Sequence, residues 1–231
     1  MNFNLPAIML LVLVKMMKSL VSDAEIYHID DYLTTQEAGE LMTLLNREDR
    51  FTFHKMYWKR ADGYIAHRNH RQSYWFGQYA QSMQDARELS DFTLPYHFPE
   101  PVLKLKQRIE KDFDCMFNSC LVGKYDNQRQ KIGAHSDESS HLGDDPTIVS
   151  ISLGAPRNFK IIGRHKSNKK TKINLILNSG SCLVLKNGAN ANYLHMVHRD
   201  TKCNKDNIRI NLTFRNYTYD EHEKKIVASP F

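Results

Sequence analysis

Residues of the C-terminal half have the types and spacing of a metal-binding set. His135-Ser136-Asp137 places an imidazole and a carboxylate two residues apart, on one side of an extended backbone, so that both can meet one ion. A third ligand must come from further on, and two histidines stand close together there, His195 and His198. Two histidines and a carboxylate make up a facial triad, which holds a non-heme Fe(II) on one side and leaves coordination positions open. Beyond them, Arg209-Ile210-Asn211-Leu212-Thr213-Phe214-Arg215 carries two arginines, permanent cations whose planar forks can clamp the carboxylates of a small diacid. Together these residues describe a metal site with a place for an anionic co-substrate beside it.

The pieces differ in specificity. H-x-D occurs in many loops, and one more histidine adds little in a chain that has eleven. The string Arg209–Arg215 is the nonrandom part. In an extended strand Arg209, Asn211, Thr213 and Arg215 share one face, with Ile210, Leu212 and Phe214 behind them. A polar row of that kind inside a barrel is a ligand platform. The plainer alternative is a half-buried strand with its polar row in water, and the upstream metal set argues against it.

Around these residues lie the elements that must position them. From Val21 to Arg50 the chain reads as strand, then helix: Thr34-x-x-Glu37 is a capping box, and Ala38, Leu41, Met42 and Leu45 fall at helical spacing. A second helix is predicted from Pro101 to about Asp112, with Val102, Leu105 and Ile109 inward. Short strands follow at Phe117–Tyr125, Thr147–Leu153, Phe159–Ile162, Ile173–Leu177, Cys182–Leu185 and Ile208–Tyr219. Helices first and strands later describe an α+β protein, a sheet-rich core backed by helices.

Composition agrees. At 231 residues, 41% hydrophobic and 10% aromatic, the chain suits one well-buried domain rather than disorder. A net charge of +6 and a pI near 9.0 suit a polyanionic partner, although charge of this size alone moves that inference only a little. Cys115, Cys120, Cys182 and Cys203 form no C-x-x-C pair and no disulfide framework, which points to a reducing compartment, as a ferrous site would prefer. Ala7 to Val14 is apolar but, at eight residues, too short to span a bilayer. Lys15 and Lys18 follow that run instead of preceding it, the wrong polarity for a secretory signal.

Five stretches, Lys131–Glu138, Thr147–Gly154, Gly180–Leu185, Tyr193–Val197 and Arg209–Arg215, resemble in content, order and spacing the catalytic domain of AlkB-type dioxygenases. These are the Fe(II)- and 2-oxoglutarate-dependent nucleic-acid dealkylases. The resemblance covers Phe117 to Tyr217 and extends more loosely back to about Tyr27. It implies a double-stranded β-helix, a jelly-roll-like core, backed by the N-terminal helices. The implied division is an apolar lead-in at 1–20, an extension with helices and a nucleotide-recognition lid at 21–116, the oxygenase core at 117–219 and a tail at 220–231.

The same resemblance assigns roles. It favours His195 over His198 as the third ligand beside His135 and Asp137. Arg209 and Arg215 are expected on the carboxylates of 2-oxoglutarate, with Asn211 and Thr213 beside them and Tyr125 reaching in. Two residues before that tyrosine, family members often carry asparagine; here the position is Gly123. One hydrogen bond to the co-substrate is then missing, worth about 1 kcal/mol unless water replaces it. The implied reaction consumes O₂, decarboxylates 2-oxoglutarate to succinate, and hydroxylates a carbon on a base nitrogen, which is then lost as formaldehyde.

Two basic stretches are candidates for gripping nucleic acid. Between His54 and Trp75, five Lys/Arg face one acid and are interleaved with aromatics, a mixture suited to phosphate and to unpaired bases. There His70–Tyr74 resembles the lid, which makes Arg71, Tyr74 and Trp75 expected substrate contacts, Tyr74 at a position that meets the substrate backbone. Lys160 to Lys172 holds six Lys/Arg and no acid and resembles a loop approaching from the other side, with Arg164 as its expected contact. At the position where many base-repairing members carry a base-reading acid stands Ser139; Asp144 or Asp145 is the alternative source.

The expected substrate is alkylated DNA or RNA of the 1-methyladenine or 3-methylcytosine type, single-stranded or with the base flipped out. The alternatives are a same-fold oxygenase acting on another RNA modification or a protein, and a catalytically silent nucleic-acid-binding module. The protein is expected to be a monomer without stable membrane association, intracellular, in cytoplasm, nucleus or both.

Overall fold

The first helix, α1 (Thr35–Leu45), begins where the capping box predicts. Thr34 Oγ1 accepts the Glu37 N–H at 3.2 Å, and the Glu37 carboxylate accepts the Thr34 N–H at 2.8 Å. Its buried face is Ala38, Leu41 and Leu45. The second, α2 (Glu100–Phe113), starts one residue before the predicted proline, since Pro101 in the first turn lacks only an N–H that would find no partner there anyway. Val102, Leu105 and Ile109 are buried as expected. This computed structural model describes residues 18–59, 65–77, 96–137, 142–199 and 207–218, without the side chains of 55–59 and 65–70. The apolar run Ala7 to Val14 and the tail 220–231 lie outside the described residues, within which no helix is long and apolar enough to cross a membrane.

The strands are β1 (Glu25–Ile29), β2 (His54–Lys59), β3 (Ile65–Gly77), β4 (Ser119–Tyr125), β5 (Ile132–His135), β6 (Ile148–Gly154), β7 (Arg157–Gly163), β8 (Lys172–Leu177), β9 (Cys182–Lys186), β10 (Tyr193–Val197) and β11 (Arg209–Arg215). A short third helix, α3 (Ala189–Asn192), precedes β10. One sheet has the order β1-β9-β6-β11-β4-β3-β2 and the other β5-β10-β7-β8, with antiparallel pairing throughout. This is the jelly-roll arrangement of a double-stranded β-helix.

Alternation along β11 decides which layer is which. Ile210, Leu212 and Phe214 join Val149, Ile151 and Val122 in a core shared with α1 and α2. A second core lies between the sheets, where Ile148, Leu183 and Leu185 of the large sheet meet Ile132, Phe159 and Val197 of the small one. The polar row of β11 faces this inner space. β1 and β3 come from the 21–116 segment, yet they pair with β9 and β4, so that segment and the 117–219 segment share one sheet.

Candidate active site

The two histidines meet because their strands pair there. In the antiparallel ladder of β5 and β10, His135 stands opposite His195, with ring centroids 4.3 Å apart. Directly opposed residues project to the same face of a sheet. From the far side of β10, the Phe159 ring of β7 stacks on His195 at 5.9 Å. Asp137, two residues past β5, returns its carboxylate to that face: Oδ1 lies 3.8 Å from His135 Nε2 and 3.9 Å from His195 Nε2.

Asn190 of α3 fixes this turn. Its Oδ1 accepts the Asp137 N–H at 2.9 Å and its Nδ2 donates to the Asp137 carbonyl at 3.1 Å. Ligand atoms of His135, Asp137 and His195 all lie within 4.8 Å of one another, a group that can hold a metal ion. His135 Nδ1 is 2.8 Å from the Gly133 carbonyl, which keeps the proton on Nδ1 and leaves the Nε2 lone pair for a metal. Two imidazoles and one carboxylate oxygen on one side fit Fe(II) with open positions. His198 is not in the group; its carbonyl accepts from Arg157 at 2.7 Å.

Electrostatics favours the charge states a metal needs. Burial pushes His195 down to about 4 and lowers His135 as well, so both rings are neutral near pH 7. Burial alone would raise the Asp137 carboxyl, but the Arg215 guanidinium, helped by His195, outweighs it and holds the group well below the usual carboxylate range. Arg215 is correspondingly held above its ordinary value, its own burial overcome by Asp137.

Behind the triad lies a seat for an anion. Arg209 is 1% exposed, and its Nη2 donates to Ser152 Oγ at 2.9 Å and to Asn211 Oδ1 at 2.6 Å. Asn211 in turn donates to Thr213 Oγ1 at 2.8 Å and accepts from Ser150 Oγ at 3.0 Å. Arg209 Nε and Nη1 have no hydrogen-bond partner among the described residues. Burial pushes this guanidinium down to about 10. A buried cation with free donors is costly until an anion meets it. Tyr125, 1% exposed, lies under the Arg209 guanidinium at 5.2 Å and accepts from Arg71 Nη1 at 3.5 Å. Ile132, Ile148, Leu183 and Leu185 complete an apolar wall.

A second cavity opens beside Asp137, lined by Ser136, Asp144, Arg164, His165 and Asn190. Arg164 Nη1 donates to Ser136 Oγ at 3.4 Å, so this expected substrate contact stands next to the triad. Of the two alternative acids, Asp145 is engaged with the Gly188 N–H at 2.7 Å and Asp144 lines the cavity. Ser139 lies outside the described residues. The basic loop is wrapped around Asn168, which is 7% exposed. Its Oδ1 accepts the His165 N–H at 2.9 Å, and its Nδ2 donates to Asn192 O at 3.1 Å. Arg164, Lys166, Lys169 and Lys170 remain exposed around it.

Two expected substrate contacts are corrected. Tyr74 alternates on β3 with Phe76, on the face turned toward the helices, and is 1% exposed. It stacks on Phe51 at 4.9 Å and donates to the Leu45 carbonyl at 3.0 Å, so it is a core residue and meets no backbone phosphate. Trp75, on the opposite face, is 3% exposed and has no open surface for a base. The remaining lid side chains, from Lys55 to Lys59 and from Ile65 to His70, lie outside the described residues. Residues the sequence reading missed are Asn190, Phe159, Ser150 and Ser152. The serines could have been found, because they alternate with Val149, Ile151 and Leu153.

Comparisons agree with this geometry. A family model described as the 2OG-Fe(II) oxygenase superfamily matches residues 25–215. The human alpha-ketoglutarate-dependent dioxygenase alkB homolog 3 is 29% identical over 169 residues, 68% of this chain and 56% of that protein. The human DNA oxidative demethylase ALKBH2 is 28% identical over 157 residues, 61% of this chain and 59% of that protein. The chain thus spans little more than half the length of these curated relatives. Among solved structures, OsALKBH1 superimposes with a TM-score of 0.60 at 16% identity, over 86% of this chain and 100% of that one, a likeness of fold.

Proposed function

The chain belongs to the 2OG-Fe(II) oxygenase superfamily, and from that premise we propose that it is an AlkB-type dioxygenase that removes alkyl groups from nucleic-acid bases by oxidation. One arrangement carries the reading: His135, Asp137 and His195 converge, and the partly unpartnered Arg209 guanidinium lines the same cavity. A ferrous ion held by the triad would supply the oxidation: O₂ and 2-oxoglutarate would give succinate and CO₂, one oxygen atom ending in succinate and the other on the alkyl carbon, and the resulting hemiaminal would release formaldehyde.

The protein's own residues prepare that chemistry. His135 and His195 offer neutral nitrogens, and Arg215 keeps Asp137 ionised and holds one of its oxygens. Arg209, set by Ser152 and Asn211, receives the distal carboxylate of the co-substrate, and Tyr125 closes that end. Ile148, Leu183 and Leu185 keep water from the reacting centre. The cavity beside Asp137, with Asp144 and Arg164, is the place for an extruded base, and the exposed cations around Asn168 suit its phosphates. The name of one of the sequence relatives, a DNA oxidative demethylase, supports nucleic acid as the substrate class.

The test is a turnover assay. Protein reconstituted anaerobically with Fe(II) is given 2-oxoglutarate, an oligonucleotide carrying 1-methyladenine or 3-methylcytosine, and then air. Loss of the methyl mass is expected from the wild type and not from His135→Ala. Succinate without methyl loss would leave an oxygenase with another substrate; neither product from iron-loaded protein would end the catalytic reading.

A further inference from the structure

Gly123 lies on β4 between Asn211 of β11 on one side and Ser73 of β3 on the other. Gly123 is buried in the sheet, and of its two cross-strand neighbours Asn211 lines the cavity while Ser73 does not. A Cβ there would lie 3.2 Å from Arg71 Nη1, 3.4 Å from Arg71 Cδ and 3.7 Å from Arg71 Cζ. The missing side chain leaves room over which the Arg71 guanidinium lies. Arg71 crosses from β3 over Gly123, reaches Tyr125 Oη at 3.5 Å, and lines the cavity together with His135, Asp137, Arg209 and Arg215.

The charges around this point do not cancel. Arg215 is neutralised by Asp137. Arg71 Nε and Arg209 Nε and Nη1 have no hydrogen-bond partner among the described residues, and neither does the buried hydroxyl of Ser73. Three guanidiniums gather at Tyr125: Arg157, which donates to the Gln130 and His198 carbonyls, and Arg71 and Arg209, which have no carboxylate partner among the described residues and call for an anion. Arg71 is half-buried and lines the same cavity as the buried Arg209, where a small diacid can meet both.

We propose that Arg71 is a third arginine of the co-substrate seat, admitted by Gly123, and that it binds the carboxylate of 2-oxoglutarate received by Arg209. The assignment rests on the 2-oxoglutarate reading above. Where a side chain at residue 123 would offer one neutral hydrogen bond, this chain substitutes a charged fork from the neighbouring strand.

The experiment is a double-mutant cycle of Arg71→Gln and Gly123→Ala on full-length protein loaded with Mn(II), read by calorimetric titration with 2-oxoglutarate. Thermal midpoints without co-substrate and single-stranded oligonucleotide binding by anisotropy are measured on the same samples. Arg71→Gln is expected to raise the 2-oxoglutarate Kd about tenfold or more, as for a lost charge-assisted hydrogen bond. Gly123→Ala, which keeps Arg71 but pushes its guanidinium aside, should raise Kd in the same direction. In the Arg71→Gln background it should add nothing, because both changes act on one contact. The proposal is overturned if both single variants bind 2-oxoglutarate as the wild type does. It is also overturned if Arg71→Gln weakens the oligonucleotide and not the diacid, which would make Arg71 a nucleic-acid contact. Wild-type protein that holds Mn(II) but fails to bind 2-oxoglutarate would end the functional reading along with it, so the two failures are distinct. Gly123→Ala decides the matter even if Arg71→Gln fails to fold.

Discussion

Arg215 closes on Asp137 with two nitrogens against one oxygen: Nε and Nη2 both lie 2.8 Å from Oδ2, while Oδ1 faces the two histidines. The carboxylate is thereby divided, one oxygen for the guanidinium and one for a metal. Because this pairing lowers the Asp137 pKa, the carboxylate stays ionised well into acid, and metal loss on acidification should follow protonation of His135 and His195 first. Arg215→Met removes the leading cause of that depression and leaves burial, which raises the group, opposed only by the two histidines. The pH midpoint of Mn(II) release, followed by electron paramagnetic resonance, should move upward as proton competition at Asp137 adds to that at the two histidines.

Asn190 holds the backbone of Asp137 by two hydrogen bonds without touching the triad's ligand atoms. Asn190→Ala should weaken Mn(II) binding about tenfold or more, the range typical of residues that orient a metal ligand. Fold stability should fall by about 1–2 kcal/mol, measured by urea denaturation. Unchanged metal affinity in a folded variant would remove Asn190 from this role.

Two glycines should respond to alanine with opposite signs. At Gly163 a Cβ would sit 1.9 Å from the Asn168 carbonyl oxygen, so Gly163→Ala must displace the turn that carries the basic loop. A loss of about 1–3 kcal/mol or more is expected. At Gly39, inside α1, a Cβ meets nothing within 4 Å, and Gly39→Ala should stabilise by about 0.5–1 kcal/mol. Urea midpoints of the two variants check both.

Burial raises the thiols of Cys115, to about 12, and of Cys120 and Cys182. The reactive form is the thiolate, so all three should stay protonated and silent at pH 8. Titration with Ellman's reagent should find at most one reactive thiol in the folded protein and four in guanidinium chloride. Rapid modification of two or more in the folded state would contradict the packing described.

What was legible in the sequence was whatever alternation alone could place. Ile210, Leu212 and Phe214 against Arg209, Asn211, Thr213 and Arg215 is a period of two with unlike faces, and the strand has those faces in the structure. The capping box and the inward residues of both helices were equally local. Tyr74 was misread because Ser-Tyr-Trp-Phe carries aromatics on both faces, which erases the period that separates core from surface. β5 has four residues and α3 four, too few for a pattern, so Asn190 gave no signal. The pairing of Arg71 with Gly123 joins residues from different strands whose adjacency only the ladder of β3 and β4 creates.

β11 lies between β6 and β4, in the middle of the large sheet, although it is the last strand in chain order among the described residues. During synthesis, then, β6 and β4 emerge from the ribosome with their central edges open and must wait for residue 215 before the gap between them closes. Both arginines of the motif arrive on the strand that closes it. A nascent chain can form α1 and the hairpins early, but it cannot assemble the anion seat before the sheet itself is complete, so partly made protein has no pocket in which co-substrate could be consumed.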